Sequence, residues 1–342
     1  MRGTACANGF GHTAALPTLR ATQGAQIMTA HVLAPQILAK PAQPAAQSQP
    51  QQRIAAFAAR ASFEATRLAL GDIDALRAGV APKTPIYVSA VPARPLADQI
   101  DTATRLAAAG FEPVPHIAAR GFASGTALDR HLGRLADDAG VSRVLVIGGD
   151  FAAPVGPFHA AIEVIDSGLL QARGITEVGI AGYPDGHPRL AAIELDRALI
   201  AKVEAASATG LAVHIVTQFD FSAPAILNWI GRLRDQGIDL PVRIGLAGPA
   251  TLTGLLRYAR ICGVTASAQG LMRHTGLAKH LFGMVTPDTV LRPLAEATAD
   301  LGDVAPHLFS FGGLAAAARW ATAAAAGRIT LDRAEGFMVE PP

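Results

Sequence analysis

The sequence predicts an α/β protein folded as a closed (β/α)8 TIM barrel behind a disordered N-terminal extension. Three observations predict it. From residue 61 onward, short apolar strand-like runs alternate with helical stretches, about every 25–36 residues. Most of these runs are apolar on both faces, as parallel strands covered by helices must be. Eight such units fit a closed barrel. The first run is followed by Ala65-Thr66-Arg67-Leu68, where an open dinucleotide-binding sheet would place a glycine-rich phosphate turn.

Taken in order, residues 1–53 form a mobile tail without a catalytic role. The stretch from Ala34-Pro35 to Gln51-Gln52 is rich in Ala, Pro and Gln; its prolines break helices and its few large apolar groups cannot offset the entropy of ordering. Met28 offers an alternative start codon. Residues 54–342 are expected to form a single barrel domain. Its strands are expected at Ala61–Glu64, Ile86–Val91, Pro113–Ile117, Val144–Ile147, Val178–Ala181, Val213–Thr217, Val242–Ala247 and His307–Phe311. Helical patterns run between them at Leu96–Ala109, Ala127–Ala139, Leu195–Ala208 and Ala223–Asp235. The longer gap before the last strand holds two extra helices, Thr251–Cys262 and Pro287–Asp300.

Composition narrows the function classes. Half of the residues are apolar, yet no unbroken apolar stretch reaches the roughly 18–20 residues that span a bilayer, so no membrane association is expected. Net charge is +2 and the basic residues are scattered, which gives no nucleic-acid face. Cys6 and Cys262 stand outside any CxxC motif and rule out a disulfide framework, in keeping with a reducing cytoplasm. The N-terminus lacks the charged start and compact apolar core of a secretory signal.

In a parallel barrel, chemistry is assembled at the C-terminal ends of the strands. Those ends carry Glu64, Val91-Pro92, His116, Gly149-Asp150, Tyr183 with His187, Gln218, Gly248-Pro249 and Gly312-Gly313. Each alone reads equally well as an ordinary loop polar group. Glu64, in apolar surroundings, is expected to be desolvated toward its protonated form and so suited to general acid work. Asp150 follows glycines that let a ligand approach the backbone; its bland reading is an Asx turn. His116 and His187 suggest zinc, but no HxH or HxxxH pair and no cysteine accompanies them, so no metal is expected. A serine hydrolase lacks its G-x-S-x-G elbow. Lys202 is either a solvated helix lysine or a flexible cation for a ligand phosphate. Gln218 can donate to and accept from a heterocycle edge. Phe219 and Phe221 beside it can stack on a ring, though core packing accounts for at least one of them.

Together these residues resemble the methylenetetrahydrofolate reductase family over roughly residues 61–320. The resemblance rests on Ser62-Phe63-Glu64, Pro115-His116, Gly149-Asp150, Gly182-Tyr183-Pro184-Asp185-Gly186-His187-Pro188, Lys202-Val203-Glu204 and Thr217-Gln218-Phe219. The Tyr-Pro-Asp-Gly-His-Pro and Thr-Gln-Phe strings are its specific parts. It implies a barrel that binds FAD at its strand ends and passes a hydride from NAD(P)H to 5,10-methylenetetrahydrofolate, giving 5-methyltetrahydrofolate. It further implies Glu64 as the general acid and Asp150 as the carboxylate that contacts the pterin and tunes the flavin. His116, Gly149, Tyr183, His187 and Lys202 would line the FAD site, with Gln218, Phe219 and Tyr258 on the folate side. The chain departs from the family pattern at Val91 (a threonine after the second strand), Gly148 (an arginine), Tyr258 (a phenylalanine) and Gly312-Gly313 (an Asn-Arg region). A flavin-free tetrahydrofolate enzyme or a non-catalytic folate- or flavin-binding protein are the alternatives. Assembly with further copies of the chain is compatible with the sequence.

Overall fold

The computed structural model describes residues 47–92, 94–264, 283–297, 300–332 and 336–340. The expected tail therefore lies almost wholly outside the described residues. Within the stretch assigned to it, however, helix α1 (Gln49–Ala58) already begins. Its start is fixed by Ser48, whose N–H and hydroxyl both donate to Gln51 Oε1 at 2.8 and 3.0 Å. That ties off the first turn from outside the helix. Ile54, Phe57 and Ala58 then bury one face.

Eight parallel strands close into the barrel: β1 (Ser62–Ala65), β2 (Pro85–Val88), β3 (Glu112–Ala118), β4 (Arg143–Ile147), β5 (Glu177–Gly182), β6 (Ala212–Thr217), β7 (Val242–Ala247) and β8 (Val304–Phe309). β8 closes against β1, pairing Glu64 with Phe309, while on its other side Glu64 pairs with Tyr87 of β2. The register thus brings the ends of β1, β2 and β8 together around one carboxyl group.

Two strands differ from expectation by more than one residue. β2 ends at Val88 because the chain turns, with Arg94 N–H donating to Val91 O at 2.9 Å. β8 runs three residues earlier at its start, since Val304 pairs with Val242, and it stops where Phe311 N–H folds back onto Phe309 O.

The covering helices include α2 (Asp72–Arg77), α3 (Leu96–Ala108), α4 (Gly125–Ala139), α5 (Ala161–Asp166), α6 (Leu169–Ala172), α7 (Ala192–Ala208) and α8 (Ala223–Asp235). After β7 come α9 (Leu252–Cys262) and α10 (Asp288–Ala297), and α11 (Leu314–Ala325) follows β8. α4 shows the local logic well: Ser124 accepts from Ala127 N–H at its start, and Gly140 in the left-handed region ends it. The main core of Ile, Leu, Val and Phe lies between strands and helices. Tyr87, Val114, Leu145 and Val216 form a separate small buried cluster. Among the described residues, no helix is long and apolar enough to cross a membrane.

Candidate active site

Glu64 is the best-held of the candidates. Ser89, at the end of β2, donates its hydroxyl to Glu64 Oε1 at 2.5 Å. On the other oxygen, Oε2, the Nε2 atoms of His307 and His116 stand at 3.6 and 3.9 Å. Neither Nε2 has a hydrogen-bond partner and both are buried. His307 is oriented from behind by Ser62, whose hydroxyl lies 2.9 Å from Nδ1.

This corrects the expectation of a raised carboxyl. Burial does push Glu64 up, but His116, His307 and the Ser89 hydroxyl together outweigh it and hold the group below the ordinary carboxylate range. His116 moves the same way: burial pulls it down against the pull of Glu64, which raises it.

A cleft of about 110 Å³, partly open to solvent, lies beside this cluster and is lined by Thr66, Ser89, Val91, His116, Asp150 and Phe151 among others. Asp150 is exposed at its edge. Gly149 precedes it with φ +90°, and a Cβ there would sit 2.9 Å from that of Ala118, so glycine is needed for both reasons. A Cβ at Gly148 would meet nothing within 4 Å. The nearby Arg120 is spent on the loop after β4, donating from its guanidinium to His159 O and Phe151 O. Val91 leaves no hydroxyl at its position after β2, yet Ser89 supplies one from the end of the same strand.

Tyr183 and His187 meet edge to face on their loop, centroids 5.3 Å apart. Burial and then Asp150 push the Tyr183 phenol up, while burial and Arg189 pull His187 down. His187 Nδ1 accepts from Arg189 N–H at 3.2 Å. Lys202, half-buried on α7, is pushed down to about 8 by burial alone. Tyr183, His187 and Lys202 do not line the cleft that holds Asp150 and His116.

Gln218 is anchored by its own backbone N–H to Gly182 O at 2.9 Å, which ties the end of β6 to that of β5. Its Oε1 accepts from Phe219 N–H. Phe219 is 1% exposed and is ringed edge-on by Phe221, Phe309 and Phe311. It therefore backs the site and does not offer an open face. Phe311 stacks on Tyr258 at 4.3 Å, and the Arg257 guanidinium carbon lies 5.0 Å from the Tyr258 centroid.

Sequence reasoning missed Ser62, Ser89, Tyr87, His214 and His307. The available signal was period-2 alternation: Ser62 and Glu64 share one face of β1, and His307 and Phe309 one face of β8.

The sequence model of methylenetetrahydrofolate reductase matches residues 97–276, just over half of the chain. The span contains His116, Gly149, Asp150, Tyr183, His187, Lys202, Gln218, Phe219 and Tyr258, while Glu64, Ser62, Ser89 and His307 lie outside it. Among solved structures, a family 18 chitinase from Crocus vernus is 11% identical, covering 55% of this chain and 80% of that chain, with a TM-score of 0.36. That likeness is too weak to bear on fold or function.

Proposed function

Because the chain belongs to the methylenetetrahydrofolate reductase family, we propose that it reduces 5,10-methylenetetrahydrofolate to 5-methyltetrahydrofolate in the cytoplasm, with NAD(P)H as electron donor and FAD as carrier. The observation that carries this reading is the Glu64 cluster: one carboxyl group, fed by a hydroxyl and faced by two imidazoles, beside an open cleft at the C-terminal mouth.

The residues fit FAD in one respect. Lys202 carries a burial penalty and pairs with no acid among the described residues, so a phosphate would relieve it. Gly149, His116, Tyr183, His187 and Lys202 would hold the group, which when bound supplies the hydride. The chain's own part is acid–base and electrostatic. Opening the folate's five-membered ring needs a proton at the departing nitrogen, and Glu64 with its imidazoles is the group to deliver it. The iminium cation so formed gains from the carboxylate of Asp150, exposed at the cleft. Gln218 has an amide NH2 that donates to no described residue and can meet the pterin edge.

Covering the mouth with ligand removes water from Glu64 and adds to the burial that raises it, moving the carboxyl toward its acid form when that form is required. The uncovered Gly148, without a cation, favours the flavin-free alternative. The visible spectrum of freshly purified protein separates the two. The proposal expects flavin absorption, either as isolated or after added FAD. A colourless protein that fails to take up FAD, yet still makes methyltetrahydrofolate, overturns the flavin part.

A further inference from the structure

We propose that Tyr87 is a positioning residue for the Glu64 acid–base cluster, held in place from the opposite end of the barrel by His214 and Glu177. The inference rests on the acid role proposed above for Glu64. Strands β2 and β6 are not neighbours, so the 2.8 Å contact between Tyr87 Oη and His214 Nε2 crosses the barrel interior. On the far side of the same ring, His214 Nδ1 lies 2.7 Å from Glu177 Oε1, at the start of β5. With its proton on Nδ1, beside the carboxylate, His214 accepts at Nε2 and the phenol is the donor.

The room for this arrangement is built in. Gly179 is the β5 partner of His214, and a Cβ there would lie 2.7 Å from His214 Nε2 and 3.0 Å from Cε1. A glycine in mid-strand weakens the strand, and here it leaves the hole through which the imidazole reaches Tyr87.

Above, the Tyr87 ring lies edge-on to His307, centroids 4.6 Å apart, and to His116 at 6.3 Å. These are the imidazoles whose Nε2 atoms face Glu64 Oε2. Tyr87 is thus a shelf under both, and among the described residues its only side-chain hydrogen bond is the one that His214 takes. The charged and titratable groups acting on the lower end are Glu177, Arg143, Arg243 and Glu112. Those around Glu64 are His116, His307 and Ser89, with Asp150 acting on His116.

The sign follows. If the shelf is loosened, the imidazoles hold Glu64 less well, burial gains the upper hand, and the Glu64 carboxyl titrates higher while His116 titrates lower. The test is NMR titration of the Glu64 side-chain carboxyl and the His116 imidazole in ligand-free protein. Tyr87→Phe keeps the ring and removes its anchor; Tyr87→Leu removes the shelf. Expected are opposite shifts of the two midpoints by about half a pH unit for Tyr87→Phe and more for Tyr87→Leu. His214→Gln, which retains an acceptor for the phenol, should stay near wild type. If Tyr87→Leu does not fold, Tyr87→Phe and His214→Gln carry the comparison. Unchanged midpoints in Tyr87→Phe, and in Tyr87→Leu where it folds, overturn the proposal. The readout needs no substrate, so a protein that lacks reductase activity still reports on the positioning.

Discussion

Glu64 is surrounded by a hydroxyl donor and two imidazoles that favour its carboxylate form. Ser89 donates to one oxygen, and the other faces two imidazole nitrogens with no other partner. Replacing the carboxyl by an amide keeps the shape and removes the transferable proton. Glu64→Gln is therefore expected to lower turnover by roughly 10²–10⁴-fold, the usual weight of a general acid, with flavin binding retained. Steady-state kinetics with a parallel flavin titration checks both halves.

Lys202 makes a second residue-scale prediction. Its folded value is depressed to about 8, whereas an unfolded lysine titrates near 10.4, so across that window the folded chain binds fewer protons than the unfolded one. The burial penalty is felt below that window, where the ammonium is charged in both states and a phosphate can relieve it. Above about 8 the charge is lost and with it the attraction. FAD affinity is expected to fall roughly tenfold between pH 7 and about pH 9.5, and Lys202→Met should flatten that dependence. Flavin fluorescence titration at the two pH values measures it.

At the scale of elements, the strand ends make demands that the strand centres do not. The turn after β8 is packed so closely that a Cβ on Gly312 would lie 1.9 Å from Pro249 O, a backbone atom unable to move aside. Gly312→Ala is expected to destabilise the protein by at least about 1–3 kcal/mol, the cost of overpacking, which thermal denaturation would register as a lower Tm. The strands and most helices were legible because apolar runs bounded by turn residues report burial directly. β7 and α8 have the limits expected of them. Strand ends were less legible. Whether β2 stops at Val88 or Val91 depends on a loop hydrogen bond, and no apolar pattern encodes that.

The same limit explains which site residues were found. Glu64, His116 and Asp150 stand out as polar groups ending apolar runs. His214 and His307 lie inside strands, and their partners, Tyr87 and Glu177 for one and Ser62 and Glu64 for the other, come from other strands far away in sequence. Phe219 and Tyr258 were visible as aromatics, but only packing reveals that one is walled in and that the other is already stacked on Phe311.

For the whole molecule, the barrel interior is a polar column more than an apolar plug. From Glu112, Arg143 and Glu177 at the start of their strands, through His214 and Tyr87, to His307, His116 and Glu64 at the mouth, ionisable side chains are stacked along it. Buried polar groups of this kind are costly unless each is satisfied by another. Of the column's atoms without a hydrogen-bond partner, Arg143 Nε and His214 Nδ1 stand 3.5 and 2.7 Å from Glu112 and Glu177 at the strand starts, and His116 Nε2 and His307 Nε2 lie at the mouth beside Glu64. The family assignment and this placement both direct the chemistry to that mouth. The most direct test is oxidation of NAD(P)H by the FAD-loaded protein, followed at 340 nm with and without 5,10-methylenetetrahydrofolate. The account predicts steady oxidation that depends on the folate and yields 5-methyltetrahydrofolate. A flavin-loaded protein whose NAD(P)H oxidation is indifferent to the folate, with no methyltetrahydrofolate formed, would contradict it.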